Sequence, residues 1–199
     1  MRIGLLGGTF SPPHHGHVIC AQEARIQLEL DAVWLIPVSD PPHRDIESES
    51  DPGDETRVNM CRLAILGQPG LEVSTLEIER GGTSYTVDTL EQLVKQHPDT
   101  DFTLIIGADQ AMSLGNWRNP ERIGELAEIA VATRVDHDRE QAIGEVKRAT
   151  AGKEPEPIEM PRVDISSSLI RERIAGGATV AHLVPAGIAE LIEEKELYG

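Results

Sequence analysis

The sequence predicts an α/β fold, a doubly wound and mostly parallel sheet, and three observations carry that prediction. Short apolar runs rich in Val and Ile recur along the chain, helix-like segments separate them, and the first run ends in a glycine turn that opens into a helix. With 199 residues, the chain suits one domain of ordinary size spanning 1–199, able to bury roughly 70% of the surface its unfolded form exposes.

Taken in order, Ile3–Leu6 is the first strand. It runs into Gly7-Gly8-Thr9-Phe10-Ser11-Pro12-Pro13-His14-His15-Gly16-His17, and an amphipathic helix follows over about 15–30. Val33–Pro37 is the second strand. The segment from Pro41 to Asp54 carries Pro41, Pro42, Pro52, Gly53 and a run of acids, which predicts a mobile surface loop before a helix over 54–67. Leu71–Thr75 is the third strand, and the helix over 86–97 opens on Thr86 and Asp88, an acid placed where the helix dipole favours it. Phe102–Ile106 and Ile129–Thr133 are the fourth and fifth strands, with a helix over 119–127 between them and helical spacing over 138–150. Gly152–Pro161 is rich in Pro and Glu and reads as a connection. Ile165-Ser166-Ser167-Ser168-Leu169-Ile170-Arg171 then starts another helix, the beginning of a small C-terminal helical part over about 165–199.

Composition narrows the function classes. A net charge of −16 repels nucleic acid and anionic membrane over the Debye length, so neither is expected as a partner. No apolar run reaches the length of a membrane span, and the chain starts with a structural strand instead of a charged leader, so a cytoplasmic location is expected. Cys20 and Cys61 have no zinc-like spacing and read as reduced core residues. The acidic excess would serve either high salt or plain solubility, and self-association stays open.

In open α/β sheets, ligands bind outside the carboxyl ends of the strands, so the strand exits carry the chemistry. The first exit lacks the Gly-Lys-Ser/Thr of a lysine-bearing phosphate loop and does not match G-x-G-x-x-G. It offers glycines that let backbone amides approach a ligand, and His14 and His17 on one face at a helix start, which attracts anions. The second exit brings His43 and Arg44 to the same rim, and the fourth brings Gly107-Ala108-Asp109-Gln110. At the last helix Ser166 or Ser167 can cap while amides bind phosphate, with Arg171 one turn on to clamp the same anion. A zinc site on His14, His17 and Cys20 would lack a carboxylate base and a fourth ligand.

With these motifs assembled, the chain resembles the bacterial nicotinate-mononucleotide adenylyltransferase family of the wider nucleotidyltransferase superfamily, over nearly its whole length. The resemblance rests on Gly7-Gly8-Thr9-Phe10, His14-x-Gly16-His17, Pro41-Pro42-His43-Arg44, Ser84-Tyr85-Thr86-Val87-Asp88-Thr89-Leu90, Gly107-Ala108-Asp109-Gln110, Trp117, Ile165 to Arg171, and Leu197-Tyr198. Phosphopantetheine adenylyltransferases resemble it at both ends but lack the Ser-Tyr-Thr and Pro-Pro-His-Arg segments. The chain departs from the family pattern at Ser11, where the family usually has Asp.

The resemblance implies a Rossmann-like nucleotidyltransferase fold and transfer of the adenylyl group of ATP to nicotinate mononucleotide, giving deamido-NAD and pyrophosphate. His14 and His17 would contact the ATP phosphates and steady the α-phosphorus, with Arg171 as the third catalytic residue. Gly8, Thr9, Phe10, Gly107, Asp109, Ser166 and Ser167 would bind ATP. Arg44, Tyr85, Thr86 and Trp117 would bind the acceptor, Arg44 at its phosphate, Tyr85 and Thr86 at the nicotinate carboxylate and Trp117 on the pyridine ring. Mg²⁺ would come in on substrate phosphates, without dedicated protein ligands. The alternatives are adenylyl transfer to nicotinamide mononucleotide or phosphopantetheine, and a nucleotide-binding regulator without turnover.

Overall fold

The computed structural model describes residues 1–41, 51–133 and 136–199. Its centre is an all-parallel, six-stranded sheet of β1 (Arg2–Gly8), β2 (Ala32–Pro37), β3 (Leu71–Val73), β4 (Asp101–Gly107), β5 (Glu128–Thr133) and β6 (Glu156–Glu159). The spatial order is β3-β2-β1-β4-β5-β6. The helices are α1 (His15–Gln27), α2 (Asp54–Ala64), α3 (Leu76–Arg80), α4 (Thr86–Gln96), α5 (Ala108–Ser113), α6 (Pro120–Leu126), α7 (Asp136–Ala149), α8 (Ser167–Ala175) and α9 (Ile188–Glu194). Among the described residues no helix is long and apolar enough to cross a membrane.

The apolar runs form strands because both faces of the sheet are covered. On one face Val18 and Ala21 of α1, Met60 and Cys61 of α2, Ile170 of α8 and Ile188 of α9 pack on Leu6, Leu35 and Ile105. On the other, Val87 and Leu90 of α4, Ile123 of α6 and Val146 of α7 pack on Ile3, Leu5, Leu104 and Ile129. Burial on both sides removes the polar alternation that a half-exposed strand would show. Gly4 is the one strand position where a Cβ would collide, at 2.8 Å from Ile105 and from Leu30, so glycine there lets the end of the α1 segment lie down on the sheet.

Three elements differ from expectation. The connection expected over Gly152–Pro161 contains β6, whose register places Ile158 beside Ala132 and buries it completely. An edge strand pairs on one side only, so it tolerates Pro157 and needs no long apolar run to form. The short α3 and α5 were also unforeseen, because at five and six residues they show no full helical period. The loop expected over 41–54 falls mostly outside the described residues, and His43 and Arg44 with it.

The strand order sets the position of the site. From β1 the chain winds outward through β2 to β3, then returns to β4 on the opposite side of β1 and continues to β6. The connections leaving β1 and β4 therefore diverge, and a crevice opens at their carboxyl ends.

Candidate active site

Gly7 and Gly8 end β1 opposite Ile36 and Pro37, and the chain then turns sharply at Phe10, which takes the left-handed conformation with φ 51°. The Phe10 ring is buried and meets the His17 imidazole edge-on at 5.0 Å. His14 is the extended residue just before α1, and its backbone N–H donates to Nδ1 of His17 at 3.2 Å. With Nδ1 accepting, a neutral His17 carries its proton on Nε2, as a donor. The two imidazoles lie 3.8 Å apart between ring centres. Gly16 makes room for this, since a Cβ there would sit 3.0 Å from the His14 ring. Burial first, and then the neighbouring His14, hold the His17 pKa well below its ordinary value.

The far end of the chain closes on this same turn. Arg171 Nη1 donates to the Ser11 carbonyl at 2.7 Å, and Ser167 Oγ donates to the Pro12 carbonyl at 2.8 Å. The His15 N–H donates to the Leu183 carbonyl at 3.2 Å, and His15 is half-buried. Ser11 Oγ and the Tyr198 hydroxyl are hydrogen-bonded at 3.1 Å. Burial pushes the Tyr198 phenol up to about 12, against the Ser11 hydrogen bond that favours its anion, so it remains protonated. Ser166 caps α8 by accepting from the Leu169 N–H at 3.1 Å. Both serine hydroxyls are thus engaged within the protein, and α8 presents the first-turn N–H groups of Ser167 and Ser168, which have no intrahelical acceptor.

Beside this turn lies a cleft of about 430 Å³ whose lining includes Gly8, Thr9, Tyr85, Thr86, Asp109 and Trp117. Phe10, His14 and His17 continue the same turn beyond the lining, and Gly107 ends β4 with its N–H given to Gln110 Oε1 at 3.1 Å. The Ser84–Thr86 segment is tied to the exit of β2. Ser84 Oγ accepts from the Ser39 N–H at 3.1 Å, and Ser84 N–H donates to the Asp40 carbonyl at 2.8 Å. Trp117 follows a 3₁₀ turn, Leu114–Asn116, and packs partly on the core while lining the cleft. Arg44 lies outside the described residues.

The sequence reading missed four residues. Arg57 is fully buried and gives N–H groups to the Thr9 carbonyl at 3.0 Å and the Val38 carbonyl at 2.7 Å, with Asp51 and Asp54 as its ion partners. It joins the exits of β1 and β2, and its spacing to Cys61 and Ala64 already put it on the apolar face of α2. Glu77 is buried in the cleft wall; its Oε1 accepts from Thr89 Oγ1 at 2.6 Å, while its Oε2 has no hydrogen-bond partner among the described residues. Arg80 Nη2 donates to the same Thr89 hydroxyl at 3.0 Å. Arg118 also lines the cleft, with its guanidinium 4.8 Å over the Tyr85 ring.

Comparison with known proteins bears on the fold and the family. Residues 5–173 match the family model described as cytidylyltransferase-like. A relative from Geobacillus thermodenitrificans named "Probable nicotinate-nucleotide adenylyltransferase" is 42% identical over all of this chain and 86% of its own length. One of the same name from Exiguobacterium sibiricum is 39% identical, covering 100% of this chain and 99% of its own. Among solved structures, Plasmodium falciparum nicotinic acid mononucleotide adenylyltransferase complexed with APC superimposes at TM-score 0.78 with 17% identity, over 99% of this chain and 96% of that one. The same enzyme complexed with NaAD gives 0.79 over 99% and 97%. At that identity the likeness is one of fold.

Proposed function

The chain belongs to the nicotinate-nucleotide adenylyltransferase family within the cytidylyltransferase-like proteins, and from that membership we propose how its site works. It transfers the adenylyl group of ATP to nicotinate mononucleotide in NAD biosynthesis, as one cytoplasmic catalytic unit. The observation that carries the reading is the meeting of Arg171 with the His14–His17 turn, beside a cleft walled by Tyr85, Thr86 and Trp117.

The attacking group is a phosphate oxygen of the acceptor, mostly dianionic at neutral pH because its second pKa is about 6, so no protein base or nucleophile is needed. That oxygen bonds to the α-phosphorus of ATP as the bond to the bridging oxygen breaks, and the electron pair leaves on pyrophosphate. The protein contributes alignment and charge stabilisation. His17, neutral and with Nε2–H as donor, serves the phosphate oxygens beside His14. Arg171 and the α8 amides take the β and γ groups, and Gly8, Thr9 and Phe10 supply backbone contacts. Gly107 and Asp109 bound the ribose side. Tyr85 and Thr86 sit at the acceptor carboxylate, with Trp117 against its ring and Arg44 at its phosphate.

Among the described residues no three His, Cys, Asp or Glu side chains gather into a metal-binding cluster. A Mg²⁺ ion would be held by substrate phosphates and water, and Asp109 in the cleft lining would be the carboxylate to meet it. When bound, the ion supplies charge neutralisation at the phosphates. The test is pyrophosphate release with ATP, Mg²⁺ and nicotinate mononucleotide. His17→Ala should cost about 10²–10³ in rate; release no faster than that variant's would overturn the reading, and preferred turnover of nicotinamide mononucleotide or phosphopantetheine would reassign the acceptor.

A further inference from the structure

We propose that Tyr198 is a positioning residue for adenylyl transfer, its hydroxyl fixing the Ser11 turn on which Arg171 meets the histidine pair. The inference rests on the adenylyl-transfer reading above. Ser11 and Leu197-Tyr198 are two sequence features to which that reading gives no task, and the structure joins them. Ser11 Oγ and the Tyr198 hydroxyl are hydrogen-bonded at 3.1 Å although 187 residues separate them along the chain. Ser11 is buried, with 5% of its surface accessible, so its hydroxyl has no bulk water as an alternative partner.

Ser11 links the two parts of the site. Its carbonyl accepts from Arg171 Nη1 at 2.7 Å. On one side Phe10 carries the ring that meets His17 edge-on at 5.0 Å, and on the other the Pro12 carbonyl accepts from Ser167 Oγ at 2.8 Å. Arg171 and Ser167 both belong to α8, whereas Tyr198 reaches the same turn from the segment after α9. A residue gripped by its carbonyl alone can still pivot about that bond, and a second grip on its side chain removes the rotation, which matters in a reaction that depends on alignment. The backbone bends unusually to deliver the phenol, since Glu196 and Tyr198 both take left-handed conformations, at φ 50° and 65°. For a bulky side chain that geometry is unfavourable and persists where the surroundings over-determine it. Here Leu197 and Tyr198 pack on the apolar cluster that includes Phe10 and Ile170. Tyr198 does not line the cleft and its hydroxyl is taken by Ser11, so its effect on the reaction passes through Ser11. Burial keeps the phenol protonated, and the bond therefore holds across neutral pH.

The experiment uses the full chain and two readouts, the single-turnover rate of pyrophosphate formation from ATP, Mg²⁺ and nicotinate mononucleotide, and the urea midpoint. Tyr198→Phe keeps the ring and its packing and removes the hydroxyl. It should slow the single-turnover rate about tenfold with the acceptor KM changed less than about twofold, because the charge developing on pyrophosphate meets a displaced Arg171. It should also lower the urea midpoint, since the Ser11 hydroxyl is left buried without its partner. Ser11→Ala combined with Tyr198→Phe removes both hydroxyls and separates positioning from support: the urea midpoint should return most of the way to that of the unaltered chain while the rate stays about tenfold low. A rate that recovers along with stability marks a structural prop and overturns the proposal. So does an unchanged rate in Tyr198→Phe, or a loss of about a hundredfold in the double variant, the product expected of two independent effects. If Tyr198→Phe does not fold, Ser11→Ala carries the same rate prediction, and an unchanged rate there overturns it. Absence of pyrophosphate from the unaltered chain, by contrast, ends the adenylyl-transfer reading and the proposal with it.

Discussion

His17 is kept neutral at pH 7 because burial and the adjacent His14 both disfavour its cation. In the unfolded chain the same imidazole takes a proton below its ordinary value of about 6.5. Its lowered folded pKa therefore leaves stability intact above that value and removes it as pH falls below. The urea midpoint should accordingly drop between pH 7.5 and 5, and by less in His17→Asn; equal drops would contradict the assignment. Gly16→Ala is the second residue-scale prediction. Alanine favours a helix by up to about 1 kcal/mol, yet its Cβ would press the His14 ring at 3.0 Å. The thermal midpoint should barely move while turnover falls about tenfold, the cost of a misplaced contact in a reaction that depends on alignment. That His14 and His17 lie together was legible in their spacing, but the sequence put both on one helix face, whereas His14 stands extended just before α1 and meets His17 through its own N–H and ring. The direction of the His17 pKa was not legible, since its cause is burial.

Between elements, the buried Arg57 of α2 holds together the exits of β1 and β2 through the Thr9 and Val38 carbonyls. Arg57→Ala should cost about 3 kcal/mol in a urea titration, because it strands two carbonyls and leaves Asp51 and Asp54 without their cation. A loss below about 1 kcal/mol would mean that the strand exits hold their geometry without it. α3 and α4 are latched in a similar way by the Glu77–Thr89–Arg80 chain of hydrogen bonds. The long helices and five strands were readable from periodicity and apolar runs. β6, α3 and α5 were not, for each is shorter than the pattern that would announce it, and each forms because the neighbouring sheet already offers edge or surface.

The whole molecule carries a net charge of −16, a self-repulsion that salt relieves. Raising NaCl from about 0.05 to 0.5 M shortens the Debye length from roughly 14 to 4 Å, and the thermal midpoint should rise by several degrees; a fall would show that ion pairs outweigh the repulsion. At this scale the two ends of the chain meet, with Ser11 against Tyr198 and Arg171 against the Ser11 carbonyl. By itself the sequence determined the layered α/β class, the histidine turn and the Ser-Tyr-Thr and triple-serine segments, because helix and strand periods and short motifs are local and survive in one dimension. The tertiary structure alone decided that Arg57 is buried, that the Ser166 and Ser167 hydroxyls are spent inside the protein, and that Arg118 lines the cleft over the Tyr85 ring. Those facts depend on which residues, far apart along the chain, share one desolvated space, and such partnerships leave no period to read.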